Sequence, residues 1–284
     1  MIIIRIVGGL GNQLFQYAAA RALAEKRGVE LKLDVAGIAG DTFRKFDLAK
    51  FNIPLAYASG EEIKKRKAAN TFQRVKQRLL PHAFKSFYKE PHFHFDPAFF
   101  RLGKDVYLQG FFQSEKYFRS IQNQLRKDFD VSHLVNDSIK VLAAELNKEN
   151  SISIHIRRGD YLDDKILKYH GILPANYYAG AIGLMREKFP AARFYLFSDN
   201  PVTASKELAQ PDVRIISGTI TSNHFEDLYL MQNCRHNIIA NSSFSWWAAW
   251  LNNNTDKTVI APKNWFNEGP KDTKDLLPET WIKG

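Results

Sequence analysis

Ile2-Ile-Ile-Arg5-Ile-Val-Gly8-Gly9-Leu10-Gly11-Asn12-Gln13-Leu14-Phe15 opens the chain, followed by Ala18, Ala19, Ala22 and Leu23 at helical spacing and then by an alternating segment over 29–34. The order is strand, glycine turn, helix, strand. A βαβ opening of this kind predicts a parallel sheet covered by helices. Alternation resumes at Ser151, with strands expected over 152–156, 193–197, 213–217, 237–240 and 258–261. Helical stretches separate them near 202–209, 226–232 and 244–251, and Pro174 falls in the first turn of another helix. The middle, about 40–130, is less regular, with a strand at 106–109, a helix from about Ser114 and a connecting helix over 137–149. Two βα-rich halves predict a two-domain α/β protein, divided as 1–140 and 141–284, whose ligands sit outside the carboxyl ends of the strands.

With 284 residues, 45% hydrophobic and 25% charged, the chain is long enough for real cores and too apolar for a disordered one. Its single cysteine, Cys234, excludes an internal disulfide, and cannot by itself build a cysteine zinc cage or an iron–sulfur site. No signal-peptide pattern opens the sequence, and no run of about 18 apolar residues occurs. A cytoplasmic location is therefore expected, with any membrane contact at the surface. The formal charge of +10 lies almost wholly in the first half. Between residues 63 and 89 there are nine basic residues and no acidic one, interleaved with Phe72, Val75, Leu79 and Leu80. That pattern reads either as a basic amphipathic helix able to lie on anionic lipid or as a solvated helical face.

Four segments can carry chemistry. Gly8-Gly9-Leu10-Gly11-Asn12-Gln13 follows a strand and opens a helix, where glycines admit a ligand to the backbone and free N–H groups attract an anion. Gly9 and Gly11 match the start of a dinucleotide fingerprint, and Asp34 lies near the distance of a ribose-binding acid. Leu14 occupies the third glycine position, which favours a sugar or phosphate contact through Asn12 and Gln13 over NAD; a plain connecting turn is the simpler alternative. His155-Ile-Arg157-Arg158-Gly159-Asp160-Tyr161 ends a buried strand, and alternation sends His155 and Arg157 to one side and Arg158 to the other. Charges there need partners, and an arginine suits a departing diphosphate; an internal ion pair holding the turn is expected for one of the two. Ser198-Asp199-Asn200-Pro201 could read a base or ribose, or merely cap a helix. Asn241-Ser242-Ser243-Phe244-Ser245 runs from a strand into an aromatic helix whose N-terminus could hold a phosphate. The tryptophans behind it, Trp246, Trp247 and Trp250, fit the core better than a ligand platform. Asp128-Phe-Asp130 matches a metal-binding D-x-D pattern but reads as a helix end, so no metal is expected.

Taken together, these segments resemble the bacterial α-1,2-fucosyltransferases, glycosyltransferase family 11. The likeness is carried by Gly8 to Tyr17, by His155 to Tyr161, and by Asp227-Leu-Tyr-Leu-Met-Gln-Asn-Cys234 leading into Ala240-Asn-Ser-Ser-Phe-Ser-Trp-Trp247. The resemblance implies a GT-B-type enzyme with two Rossmann-like domains facing a cleft, the first on the acceptor side and the second binding the GDP-sugar. It implies inverting transfer of L-fucose from GDP-L-fucose to the 2-hydroxyl of a terminal galactose, without a cofactor or required metal and with no nucleic-acid partner. The acceptor would be a galactose-terminated glycan, free or lipid-linked. Arg157 would hold the β-phosphate, His155 and Asp199 would help bind GDP, and Ser242 to Ser245 would contact the diphosphate; Gly9, Gly11, Gln13, Arg158, Tyr161, Ser198, Asn200 and Asn241 complete the expected binding set. In the α-1,6 relatives a lysine follows the arginine motif and a glutamate further on serves acceptor activation. Here Tyr161, Leu162, Asp163 and Asp164 follow, so that base does not carry over. Asp160 is the expected general base, with Asn12 orienting a hydroxyl. The alternatives are a transferase of the same fold with another donor sugar or linkage, and an NAD-dependent oxidoreductase using the first βαβ unit and Asp34.

Overall fold

The structure, a computed structural model, describes residues 1–40, 44–68, 70–159 and 164–284. They form two compact units, one of residues 1–130 with 272–278, the other of 131–271 with 279–284. The division falls ten residues before that drawn from the sequence, and a short C-terminal segment returns to the first unit. Asp275 explains the return: it pairs with Lys116 at 2.6 Å and accepts the Phe95 N–H at 3.1 Å.

The first unit contains β1 (Ile2–Arg5), α1 (Leu10–Arg27), β2 (Leu31–Asp34), α2 (Ala36–Ala39), α3 (Gly60–Arg66), α4 (Thr71–Leu79), β3 (Phe87–Lys89), β4 (Val106–Gln109) and α5 (Gln122–Asp128). Its sheet runs β2-β1-β4-β3, with every neighbouring pair parallel. Isoleucines 2, 3 and 4 are fully buried, as a central parallel strand requires. The expected helix from Ser114 is two short 3-10 turns, Glu115–Tyr117 and Arg119–Ile121, before α5 begins. The basic stretch 63–89 is not one helix. Ser59 and Glu62 form a capping box that starts α3, Asn70 caps a separate α4 by accepting from the Gln73 N–H, and Pro81 follows its end. The remainder becomes a 3-10 turn, His82–Phe84, and the edge strand β3.

The second unit contains α6 (Asp137–Lys148), β5 (Ser151–Ile156), α7 (Asp164–His170), α8 (Ala175–Lys188), β6 (Arg193–Ser198), α9 (Pro201–Leu208), β7 (Val213–Ile215), α10 (His224–Asn233), β8 (His236–Ile238), α11 (Ser243–Leu251), β9 (Val259–Ala261) and β10 (Ile282–Lys283). Its sheet is β10-β9-β8-β5-β6-β7, again parallel throughout. All six residues of β5 are buried, and Ile152, Ile154 and Ile156 pack with Ile182, Met185, Leu196 and Ile238 in the core. Trp246 and Trp247 are fully buried and Trp250 nearly so, which makes them core. From β5 the chain winds outward through β6 and β7, then returns to place β8 on the other side. This reversal leaves a crevice at the carboxyl ends of β5 and β8, where doubly wound sheets bind ligands.

Candidate functional site in the second unit

Three of the sequence segments end at this crevice: β5 leads into Arg157, β6 into Asp199, and β8 into Ser242 and α11. His155 is 3% exposed, and its ring centroid lies 5.7 Å from that of Phe244 on α11. Burial holds its pKa down, to about 4; Arg157 acts in the same direction and Asp199 opposes both. The imidazole is thus neutral at physiological pH, and its Nδ1 is buried with no hydrogen-bond partner among the described residues. Arg157 places Nε 3.7 Å from Asp199 Oδ2, while Asp199 Oδ1 accepts the Arg158 N–H at 2.7 Å. Gly159 is required by this arrangement, because a Cβ there would lie 2.9 Å from Asp199 Oδ2. The result is a buried neutral imidazole against the first turn of a nine-residue helix, with the Arg157 guanidinium and Asp199 as its charged neighbours, a combination suited to an anion.

Arg158 has a different task. It is buried, with Nε 2.6 Å from Glu207, and it donates to the carbonyls of Arg157 and Leu173. It is the arginine of the two that holds the turn. Asn200 caps α9, its side chain accepting from the Thr203 N–H, and Ser198 Oγ accepts from the Asn200 N–H. Asn241 donates to the carbonyls of His170, Gly171 and Trp265, binding three segments together. Ser242 caps α11, and the fully buried Ser245 donates to the carbonyls of Ala240 and Ser242. Of residues 241–245, only Ser243 and Phe244 are half-buried. Of the second-unit residues expected to bind, Arg158, Asn200, Asn241, Ser242 and Ser245 are engaged in holding turns and helix starts, while His155, Arg157, Asp199, Ser243 and Phe244 are the ones gathered at the strand ends. Asp160 and Tyr161 lie outside the described residues.

Asp227, which was not among the expected site residues, is tied through Ser217 to the end of β6. Its carboxylate accepts from Ser217 Oγ at 2.9 Å and from Thr221 Oγ1 at 2.5 Å, and Ser217 in turn accepts the Ser198 N–H at 3.0 Å. Burial is the main cause that pushes its pKa up to about 6. Its only sequence signal was its position at the head of the Asp227 to Cys234 stretch.

In the first unit the glycine turn is built mainly for itself. Gly8 has φ +81° and lies against the Asn12 amide. Gln13, fully buried, donates to the carbonyls of Gly8 and Lys45 and accepts the N–H groups of Asp47 and Leu48. Its amide is fully engaged by backbone, which corrects the expectation that it contacts substrate. Gly9 caps α1, Gly11 is buried in its first turn, and Asn12 Oδ1 accepts from Gln113 at 2.7 Å. Asp34 accepts from Tyr107 Oη at 2.5 Å and from the Ala36 N–H. Buried there, it is not placed as a ribose ligand, and the NAD reading loses its acidic partner. Asp128, at the end of α5, accepts from Gln124.

The family model of glycosyl transferase family 11 matches residues 1–283. The chain belongs to glycosyl transferase family 11. It is 33% identical over 299 residues to the α-1,2-colitosyltransferase of Escherichia coli, covering 100% of this chain and 98% of that one. It is 32% identical to the O-antigen biosynthesis glycosyltransferase WbnK of Escherichia coli, with 97% of each covered. Among solved structures, a FUT1 variant of Arabidopsis thaliana in complex with GDP aligns with 93% of this chain and 71% of that one, at TM-score 0.50 and 12% identity. The fold is that of the GT-B glycosyltransferases, and the protein is a glycosyltransferase.

Proposed function

We propose that this glycosyltransferase moves L-fucose from GDP-L-fucose to the 2-hydroxyl of a terminal galactose, with inversion. The observation that carries the reading is the cluster of His155, Arg157, Asp199 and the α11 N-terminus at the strand-order reversal of the second unit. Cleavage of a sugar–diphosphate bond leaves negative charge on the GDP and positive charge on the sugar ring, so a catalyst must stabilise the departing diphosphate. Arg157 and the N–H group at Ser243, the first residue of α11, supply that stabilisation in the proposal, with Arg157 on the β-phosphate. His155, neutral and with an Nδ1 that has no partner among the described residues, offers a hydrogen bond to the GDP moiety. Asp160 is proposed as the general base on the acceptor hydroxyl. Because protein groups supply the positive charge, transfer is expected to survive EDTA.

A second donor is favoured by one finding, the 33% identity to an α-1,2-colitosyltransferase. Colitose is L-fucose without its 3-hydroxyl, so the two donors would share every diphosphate contact and differ at one sugar position. The α-1,2 linkage is common to both readings. The proposed acceptor is a galactose-terminated glycan, free or lipid-linked; the relative named for O-antigen biosynthesis supports a glycan acceptor.

The test is transfer to lactose from GDP-fucose and from its 3-deoxy counterpart, with and without EDTA, with GDP-mannose as control. A metal-independent product cleaved only by an α-1,2-specific fucosidase supports donor and linkage together. Preference for the 3-deoxy donor replaces the sugar and keeps the linkage. Failure to bind any GDP-sugar sinks the assignment of the second-unit crevice.

A further inference from the structure

Helix α4 is turned inside out. At 100° per residue, Phe72, Val75 and Leu79 fall within roughly 60° of arc, and Gln77 lies on the opposite side. The polar side faces the protein: Gln77 donates to Ser86 Oγ at 3.0 Å and accepts the N–H groups of Ser86 and Phe87 at 3.0 and 3.2 Å. The apolar side faces outward, with Phe72 79% exposed, Val75 49% and Leu79 81%, and Phe84 in the adjoining turn is 74% exposed. No residue of α4 is buried. An amphipathic helix that serves a protein core does the reverse.

The flanks of the apolar stripe carry Lys76 on one side and Arg78 and Arg74 on the other, and none of the three makes an ion pair among the described residues. Lys64 and Lys65 on α3 are exposed as well, and there is no acidic residue from 63 to 89. Apolar side chains bordered by long cationic ones match the boundary of an anionic bilayer, where the rings enter the acyl region and the cations reach the headgroups. A polyanion such as nucleic acid would satisfy the cations and leave Phe72 and Leu79 in water. A second copy of the same helix would cover the apolar stripe and bring like charges together.

We propose that α4 docks the enzyme on an anionic membrane surface, with Phe72, Val75 and Leu79 inserted and Arg74, Lys76 and Arg78 on lipid headgroups. The inference rests on residues 70–86 and is independent of the donor sugar.

It is tested by co-sedimentation of the full chain with vesicles of phosphatidylcholine alone or mixed with phosphatidylglycerol. Binding is expected only to the anionic vesicles and to weaken as salt rises. The Phe72→Ser/Leu79→Ser variant should lose about tenfold or more in affinity while keeping its GDP-sugar activity on a soluble acceptor. Arg74→Gln/Arg78→Gln should lose the preference for anionic lipid. Because the single native cysteine, Cys234, is buried, a Phe72→Cys variant can carry an environment-sensitive fluorophore, whose emission should rise and shift to the blue on anionic vesicles. No binding to anionic vesicles overturns the proposal, as does undiminished binding of the serine variant. So does a dimer abolished by those serines in a protein that ignores vesicles.

Discussion

Both units take the chain from a buried parallel strand through a glycine-containing turn beside a reversal of strand order, yet the polar groups at the two turns have different fates. After β1, Gln13 makes four hydrogen bonds to backbone and Asp34 is closed off by Tyr107 and Ala36. At the end of β5, His155 keeps a buried nitrogen with no hydrogen-bond partner among the described residues. Sequence similarity to a binding motif therefore does not decide which turn binds. What decides is whether hydrogen-bonding capacity remains after the fold has used its share.

The largest effect expected from this contrast is at Arg157. Arg157→Ala should lower kcat/KM by about 10²- to 10³-fold and weaken GDP binding, because one charged donor to the diphosphate is removed. Calorimetric titration with GDP checks it, and normal affinity would remove Arg157 from the phosphate site. Gln13→Ala should do the opposite in kind: a loss of roughly 2–4 kcal/mol in stability, from buried backbone groups left unsatisfied, with GDP affinity unchanged in the protein that still folds. Urea unfolding and the same titration read both. If Gln13→Ala weakened GDP binding as much as Arg157→Ala does, the distinction between the turns would collapse.

Asn241 and Arg158 show why only part of this was legible beforehand. Alternation holds only to the end of β5 at Ile156, and Arg157 and Arg158 lie in the turn beyond it, where their different partners, Asp199 and Glu207, are set by β6 and α9. Nothing in the local sequence could reveal that Asn241 would meet the carbonyls of His170, Gly171 and Trp265, because those partners lie 24 to 71 residues away. The same limit applies to Gln13, whose partners at 45–48 come from the irregular segment. That segment resisted reading for a second reason: much of it is held by aromatic packing, with Phe99, Phe112 and Tyr117 rings 5.0 to 5.4 Å apart. Such packing leaves no periodic trace. The sheets themselves were readable because buried parallel strands must be apolar. The edge strands β3 and β10, at three and two residues, were too short to register.

His155 gives a pH-dependent form of the comparison. Its folded pKa of about 4 lies below the ordinary 6.5, so its contribution to stability is complete above pH 6.5 and is lost as pH falls toward 4. Only the unfolded chain takes up the proton in that window. At pH 5 the wild type should therefore have lost roughly 2 kcal/mol relative to a His155→Gln variant, normalised to their difference at pH 7.5. Urea unfolding at the two pH values measures this. The normalisation cancels contributions that the proteins share, including the opposite one from Asp227, whose pKa is raised to about 6. An unchanged difference between the variants would mean that the imidazole is not held neutral.

The smallest and most local test separates two adjacent serines. Ser242 is the N-cap of α11, accepting the Phe244 N–H at 3.3 Å, whereas Ser243 is the first residue of the helix and half-buried. Ser242→Ala should cost about 1 kcal/mol in stability, the usual value of a lost cap. Ser243→Ala should cost little stability and weaken GDP binding a few-fold, as loss of one neutral hydrogen bond does. Measuring unfolding and GDP affinity on both variants gives four numbers. The proposal requires the larger stability loss at 242 and the larger affinity loss at 243. The reverse assignment would move the diphosphate off this helix start, since a cap already occupied by its own helix cannot also be the principal ligand.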